Sequence, residues 1–252
     1  MTRQKPTTAI CAVTTDDVYV RGTSLTTDLI GKLTFTEMTY FQVLGTMPTA
    51  AQAAVLDACL VTLMEHGLTP SVQAARLTYS SAPEAMQAAI AAGILGVGSV
   101  FVGTVEGCAA LLRRMLDADD REGEARKIAE EHKAALRPLP GFGHPIHKPD
   151  DPRAPAIFKV AEENGIAADH VAALRSLSSA VDAVYGRHLT INATGAIAAA
   201  LGDAGVPAEI MRGFAVLARC AGLVGHIHEE QHTPAMRAIW EAGEQAVRYE
   251  ED

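Results

Sequence analysis

Leu139-Pro140-Gly141-Phe142-Gly143-His144-Pro145-Ile146-His147, running on through Lys148-Pro149-Asp150-Asp151-Pro152-Arg153, is the stretch that organises this sequence. Two glycines flank Phe142 and a proline precedes them, a spacing that neither helix nor strand tolerates. The segment therefore reads as a shaped loop whose backbone can come close to a ligand. Glycine N–H groups in such a loop are expected to meet phosphate or carbonyl oxygens. Asp151-Pro152 reads as an N-cap and first helical residue, which puts Arg153 in the first turn of a new helix. A titratable imidazole, His144, and a guanidinium are thus expected side by side next to a glycine loop. The plain alternative is a surface loop with incidental polar residues.

The rest of the composition frames that loop. The chain has 252 residues, 48% hydrophobic and only 5% aromatic, and alanine dominates. That balance favours closely packed helices over a sandwich or barrel. The net charge of −9 argues against non-specific binding to nucleic acid or acidic membranes. Cys11, Cys59, Cys108 and Cys220 are far apart and form no CxxC, as expected of reduced, mostly buried thiols. The polar start Met1-Thr-Arg-Gln-Lys5 lacks the apolar core of a signal peptide, and no uncharged apolar run reaches membrane-spanning length. A soluble, cytoplasmic protein is expected.

Along the chain, residues 8–21 alternate apolar and polar around Thr14-Thr-Asp-Asp17 and predict a small hairpin. Everything after it reads helical. Thr34-x-x-Glu37 and Thr49-x-x-Gln52 are capping boxes, opening helices to Leu44 and to about His66. Pro70-Ser71 starts a third helix, Ser81-x-Pro-Glu84 caps a fourth to about Leu95, and Thr104 begins a fifth to Leu116. Further helices are predicted at 119–136, 153–164, 169–185, 193–202 and 207–224, with a last one carrying Trp240. The fold class is all-α: about ten helices and at most two short strands. Residues 1–120 and 188–252 are assigned to a large helical domain, and 121–187 to a smaller lobe carrying the loop.

Three further patterns bear on chemistry. Glu65-His66-Gly67 ends an apolar helix, where a histidine suits the helix dipole and glycine the left-handed stop. Arg219 sits in the apolar run Phe214-Ala-Val-Leu-Ala-Arg219-Cys-Ala-Gly222, and a buried guanidinium must meet a carboxylate or carbonyls. His228-Glu229-Glu230-Gln231-His232 matches H-E-x-x-H, which can bind zinc with Glu229 as base. It lacks a glycine-spaced third histidine downstream, so metalloprotease is a minor reading.

Gly141-Phe-Gly-His144 followed by Asp151-Pro-Arg153 resembles the signature loop of the citrate synthase superfamily. Glu65-His66-Gly67-x-x-x-Ser71 and the Arg219-x-x-Gly222-x-x-x-His226 helix resemble further elements of it, in family order over roughly residues 20–235. The resemblance implies a citrate-synthase-like multi-helix fold. It implies that Leu139, Pro140, Gly141, Phe142 and Gly143 wrap coenzyme A, and that His66, Arg153 and Arg219 hold a dicarboxylate. His144 is implied as the catalytic histidine facing the substrate oxygen. Two positions depart from synthases. Phe101 stands where they carry a histidine, and Asn192 where they carry the aspartate that removes the acyl α-proton. Val181-Asp182 is a weaker match for that aspartate. The lyase module of ATP-citrate lyase also has phenylalanine at the first position, so citryl-CoA lyases are the most similar branch. The implied activity is cleavage of citryl-CoA, or a related 3-hydroxy-3-carboxyacyl-CoA, to an acyl-CoA and a 2-oxoacid such as oxaloacetate. His144 would take the hydroxyl proton, no metal would be needed, and a homodimer or larger homo-oligomer is implied. The alternatives are a condensing enzyme with another acyl-CoA or 2-oxoacid, and a non-catalytic CoA- or tricarboxylate-binding relative.

Overall fold

The capping boxes are where the first helices begin. In the computed structural model, which describes residues 6–251, Thr34 and Glu37 exchange hydrogen bonds at the head of α1 (Phe35–Leu44). Thr49 and Gln52 do the same for α2 (Ala50–Met64). The stripe Val55, Leu56, Cys59, Leu60 and Leu63 is buried, as its helical spacing requires. Ahead of α1 lie three short antiparallel strands, β1 (Cys11–Val13), β2 (Val18–Val20) and β3 (Thr23–Ser24), and a single π-helical turn (Leu25–Leu29). The third strand was not expected. It follows from the tight turn at Arg21-Gly22, where both residues have positive φ, which returns the chain onto β2.

The remaining helices are α3 (Pro70–Ser81), α4 (Met86–Leu95), α5 (Thr104–Leu116), α6 (Arg121–Ala134), α7 (Arg153–Glu163), α8 (Asp169–Tyr185), α9 (Ala193–Asp203), α10 (Ala208–His232) and α11 (Met236–Ala246). Three boundaries differ from expectation. The helix α2 stops at Met64, because Glu65 is extended and folds its carboxylate back onto the N–H groups of His66 and Gly67. The Ser81-x-Pro-Glu84 segment does not cap α4. That helix starts at Met86, behind a turn and without a side-chain cap. The helix α10 runs past Val224 for two more turns, because Arg76 pairs with Glu229 and Glu230 on its far end.

The core is organised around α9, where Ala196 through Leu201 have no exposed surface. Seven alanine or glycine positions on this short helix let α5, α7 and α8 approach it closely, which is what the alanine-rich, aromatic-poor composition foretold. Burying Ile197 and Leu201 contributes about 1.5–3 kcal/mol each. One hydrophobic cluster takes in α2, α5, α9 and α10 together with α6, α7 and α8, so the two expected lobes share a continuous core. By length and composition alone α10 could cross a membrane. It instead carries a buried arginine and packs against α2, α3, α4 and α5.

Candidate active site

The glycine loop is stitched to the lead-in of α9. Gly141 accepts from the Asn192 N–H (3.0 Å), Gly143 donates to the Thr190 carbonyl (2.8 Å), and Phe142 pairs with Ile191 in an isolated bridge. Gly141 has φ +86°, and a Cβ there would lie 2.6 Å from Cys108 Sγ. A Cβ on Gly195 would lie 2.5 Å from the Gly141 carbonyl oxygen. The two glycines are therefore required by each other's backbone. Leu139 and Phe142 are in the core. The Gly143 N–H meets a carbonyl oxygen, that of Thr190, which is one of the two partners expected for it. Gly141 serves close packing, and that packing holds His144 out at the rim.

Beyond the loop, three imidazoles meet. The His144 ring stacks on His147 at 4.4 Å between centroids and 28° between planes, and His66 meets them edge-on at 5.3 Å and 5.9 Å. His144 Nδ1 accepts from the backbone N–H groups of Ile146 (3.2 Å) and His147 (3.0 Å). Arg153 Nη2, which can only donate, lies 3.3 Å from Nε2, so N–H donors face both ring nitrogens, and a neutral imidazole with its one ring hydrogen cannot satisfy them all at once. The guanidinium beside the imidazole is complementary to an oxygen bearing negative charge. Burial, then His147 and Arg153, push the His144 pKa below its ordinary value, which keeps the ring neutral.

Arg153 is held by Asp151, which sequence reading treated only as a helix cap. Asp151 is fully buried. Its carboxylate accepts from Arg153 Nε (2.9 Å), Nη2 (2.7 Å) and backbone N (3.1 Å), and from the Ala193 N–H (3.0 Å) at the head of α9. Burial alone would raise its pKa, but the Arg153 contacts overcome that and hold it at about 2. The signal for this role was present, since Asp-x-Arg places the pair two residues apart. The burial was not visible.

His66 comes from the turn after α2. The Glu65 carboxylate that braces this turn accepts from His226 Nε2 (2.7 Å), whose Nδ1 faces Arg76. Arg76 is buried and pairs with Glu230 (2.8 Å). A relay of charged side chains from α3 and α10 thus fixes the backbone under His66. Neither Arg76 nor His226 was singled out as positioning it. Burial, then Arg153, His147 and Arg219, lower the His66 pKa. Arg219 is 7% exposed, and its Nη1 finds no hydrogen-bond partner among the described residues. Burial also lowers its pKa, partly offset by Glu65. An orphaned buried guanidinium beside neutral imidazoles defines a site for an anion.

Asn192 is the N-cap of α9. Its Oδ1 accepts from Gly195 N (3.1 Å) and Thr194 Oγ1 (2.7 Å), and its Nδ2 donates to the Gly143 carbonyl (2.9 Å). Phe101 is exposed in the turn before α5, and the Thr104 and Thr194 hydroxyls, 3.0 Å apart, tie that turn to the head of α9. Asp182, the weaker match for a base, pairs with His188 (2.6 Å) instead. In the H-E-x-x-H segment, His228 and His232 do lie together at 4.9 Å, but Glu229 is paired with Arg76 and is not free as a base. Among the described residues, His66, His144 and His147 could bring three nitrogens, within 4.8 Å of one another, onto a cation.

A cluster of three imidazoles and two guanidiniums is an anion-handling site on a largely helical scaffold. The chain belongs to the citrate synthase family, matching the model for the citrate synthase C-terminal domain over residues 8–240. Its fold is similar to the citryl-CoA lyase of Hydrogenobacter thermophilus, with TM-score 0.87 and 28% identity, covering 99% of this chain and 96% of that one. It is also similar to an ATP citrate lyase from Methanothrix soehngenii in complex with citrate and coenzyme A (TM-score 0.79, 18% identity, 99% and 43% covered). Among curated relatives, a 2-methylcitrate synthase from Shewanella oneidensis is 28% identical over 192 residues, 74% of this chain and 49% of its own length. A citrate synthase homologue from Mycobacterium tuberculosis is 30% identical over 188 residues, 73% of this chain and 49% of its own length. The chain thus spans about half the length of these curated relatives.

Proposed function

We propose that this protein is a carbon–carbon lyase that cleaves citryl-CoA, or a related 3-hydroxy-3-carboxyacyl-CoA, to an acyl-CoA and a 2-oxoacid such as oxaloacetate. The observation that carries this reading is the state of the carboxylates at the site. Glu65 is committed to the His66 turn and His226, and Asp151 to Arg153. Asn192 stands where a synthase has its aspartate. Condensation needs a base for the acyl α-carbon, whereas cleavage generates the enolate directly. The similarity to a citryl-CoA lyase along nearly the whole of both chains supports the same choice.

In this reading Arg153 and Arg219 hold substrate carboxylates, and His66 contacts the 2-oxoacid portion. His144, paired with Arg153, stabilises the oxygen that changes from hydroxyl to carbonyl. The second N–H of the Asn192 amide is directed to the thioester oxygen as the enolate forms. Contact with coenzyme A falls to Pro140 and Gly143, backed by Leu139, Gly141 and Phe142, with Phe101 on the acyl side. The reading calls for no metal, a cytoplasmic setting and a homodimer or larger homo-oligomer.

The test is turnover. Release of oxaloacetate from citryl-CoA supports the lyase. Condensation of acetyl- or propionyl-CoA with a 2-oxoacid at a comparable or faster rate would replace it with the synthase reading that the curated relatives favour. Binding of citrate and CoA without either reaction would leave a binding protein.

A separate measurement addresses the arginines. Arg219→Lys keeps the charge and loses the fork, so affinity for oxaloacetate is expected to fall by about 1.5–3 kcal/mol. Calorimetry should find CoA affinity unchanged. Equal losses for both ligands would mean that Arg219 supports the fold or binds CoA.

A further inference from the structure

His144 and His147 leave one turn of chain with their rings stacked, 4.4 Å between centroids and 28° between planes. Rings so nearly parallel present their edges side by side, an arrangement suited to two neighbouring oxygens of one ligand. The backbone sets this up. The His147 N–H donates to His144 Nδ1 (3.0 Å), a bond that does not involve the His147 side chain.

The two rings differ in what else they meet. His144 has N–H donors against both nitrogens, from Ile146 and His147 on one edge and from Arg153 on the other. His147 is half-buried, and its ring has no hydrogen-bond partner among the described residues. An imidazole carries at least one N–H in either protonation state, so His147 brings an uncommitted donor to the site. A half-buried donor without a partner is a cost that a ligand oxygen removes. A nitrogen of the His147 ring comes within 4.8 Å of one on His144 and of one on His66. The surroundings favour an oxygen bearing negative charge, since Arg153 lies against His144 and the buried Arg219 has an unpaired Nη1. Position 147 is not among those that carry the family resemblance.

A 3-hydroxy-3-carboxyacyl-CoA offers two such oxygens on one carbon. Its hydroxyl and its 3-carboxylate are both attached to C3, and in the released 2-oxoacid they become the oxo group and the carboxylate beside it. We infer that His147 is a substrate-binding residue, donating from its ring to that carboxylate while the stacked His144 meets the oxygen next to it. The inference rests on the reading of this site as one that holds the 2-oxoacid portion of the lyase substrate. The hydroxyl proton remains the business of His144, and no bond is made or broken at His147. The carboxylate keeps its charge throughout cleavage, so the contact stabilises ground and transition states alike.

The experiment compares His147→Gln, which keeps a donor, with His147→Leu, which does not. Calorimetry with oxaloacetate and with CoA is set beside citryl-CoA turnover. In His147→Leu, oxaloacetate affinity is expected to fall at least about tenfold, as for loss of a hydrogen bond to a charged group. The KM for citryl-CoA should rise by a similar factor, with kcat within about threefold of native. His147→Gln should stay within about threefold of native in both measurements. CoA affinity should be unchanged in either variant. Equal oxaloacetate affinity in the two variants would overturn the inference, since only one keeps the donor. A parallel loss of CoA affinity would overturn it too, because a residue that only supports the loop would produce that. So would a kcat lowered about tenfold or more with KM retained, which would place His147 in the chemistry. Oxaloacetate binding abolished by a chelator and restored by Zn(II) would also overturn it, the imidazoles then holding a cation. Native protein that binds oxaloacetate but is inert towards citryl-CoA, with affinity lost in His147→Leu alone, would remove the lyase activity and support His147 as the carboxylate ligand. Native protein that binds no oxaloacetate would remove both.

Discussion

His144→Ala is expected to lower kcat for citryl-CoA cleavage by about 10²–10⁴-fold, the range set by loss of a group that stabilises a developing charge or moves a proton. The effect has two parts, because His144 does two things. Its Nε2 stands 3.3 Å from Arg153 Nη2 at the proposed oxygen site, and its Nδ1 receives the N–H groups of Ile146 and His147. Alanine removes both, so the turn carrying His147 also loosens. His144→Asn separates the two. The asparagine carbonyl can receive the same N–H groups, as a side-chain cap does, but nothing replaces Nε2. If oxygen stabilisation dominates, both variants fall by similar factors while CoA affinity stays constant. A His144→Asn variant with near-native kcat would remove His144 from the chemistry and leave it as a brace for the turn.

The second large effect is on stability. Asp151→Ala is expected to cost about 3 kcal/mol, because at this fully buried position it strands two backbone N–H groups and the Arg153 guanidinium, whose 26% exposed side chain water can reach in part. In a chain of this size that is a fall of roughly 10 °C in Tm. Asp151→Asn keeps the shape but not the charge and should cost less. The acid limb provides a check with a definite sign. The carboxyl has a folded-state pKa of about 2, below its ordinary value of 3.8. Its stabilisation is complete above about pH 4 and is lost as pH falls through about 2. The native-minus-Asp151→Asn difference in unfolding free energy should therefore shrink by about 2 kcal/mol across that window. Glu230 and Asp203 also have lowered values, so the difference between the two proteins, not the native curve, is the test. Superimposable acid-unfolding curves would mean that Asp151 is not the anchor of Arg153.

Sequence alone determined the helical architecture, since its signals are local. Capping boxes at Thr34 and Thr49, the glycine stop at Gly186 and the buried stripe on α2 each depend on residues a few positions apart, and each stands where it was read. Chemical pattern also singled out His144, Arg153 and Arg219, through a glycine loop beside an imidazole and an arginine in an apolar run, whereas His66 was proposed for the site only through the family resemblance. Their meeting was another matter. His66 and Arg219 are 153 positions apart in a chain whose helices could pack in several ways, and only the close approach of α10 to the end of α2 joins them. A Cβ on Gly222 would fall on the Met64 carbonyl.

The tertiary structure decided three things that no spacing encodes. It turned the glycine loop inwards, because Gly141 and Gly195 press backbone on backbone and the Gly143 N–H meets the Thr190 carbonyl just ahead of α9. It engaged Asn192 as the cap of α9, its amide bonded to Gly143. It set N–H donors against both nitrogens of His144, Ile146 and His147 at Nδ1 and Arg153 at Nε2, through a turn in which residues 144–147 fold back on themselves. A residue's identity limits which bonds it can make, but a proton's position is set by the neighbours that close around it, and those neighbours come from the packed chain.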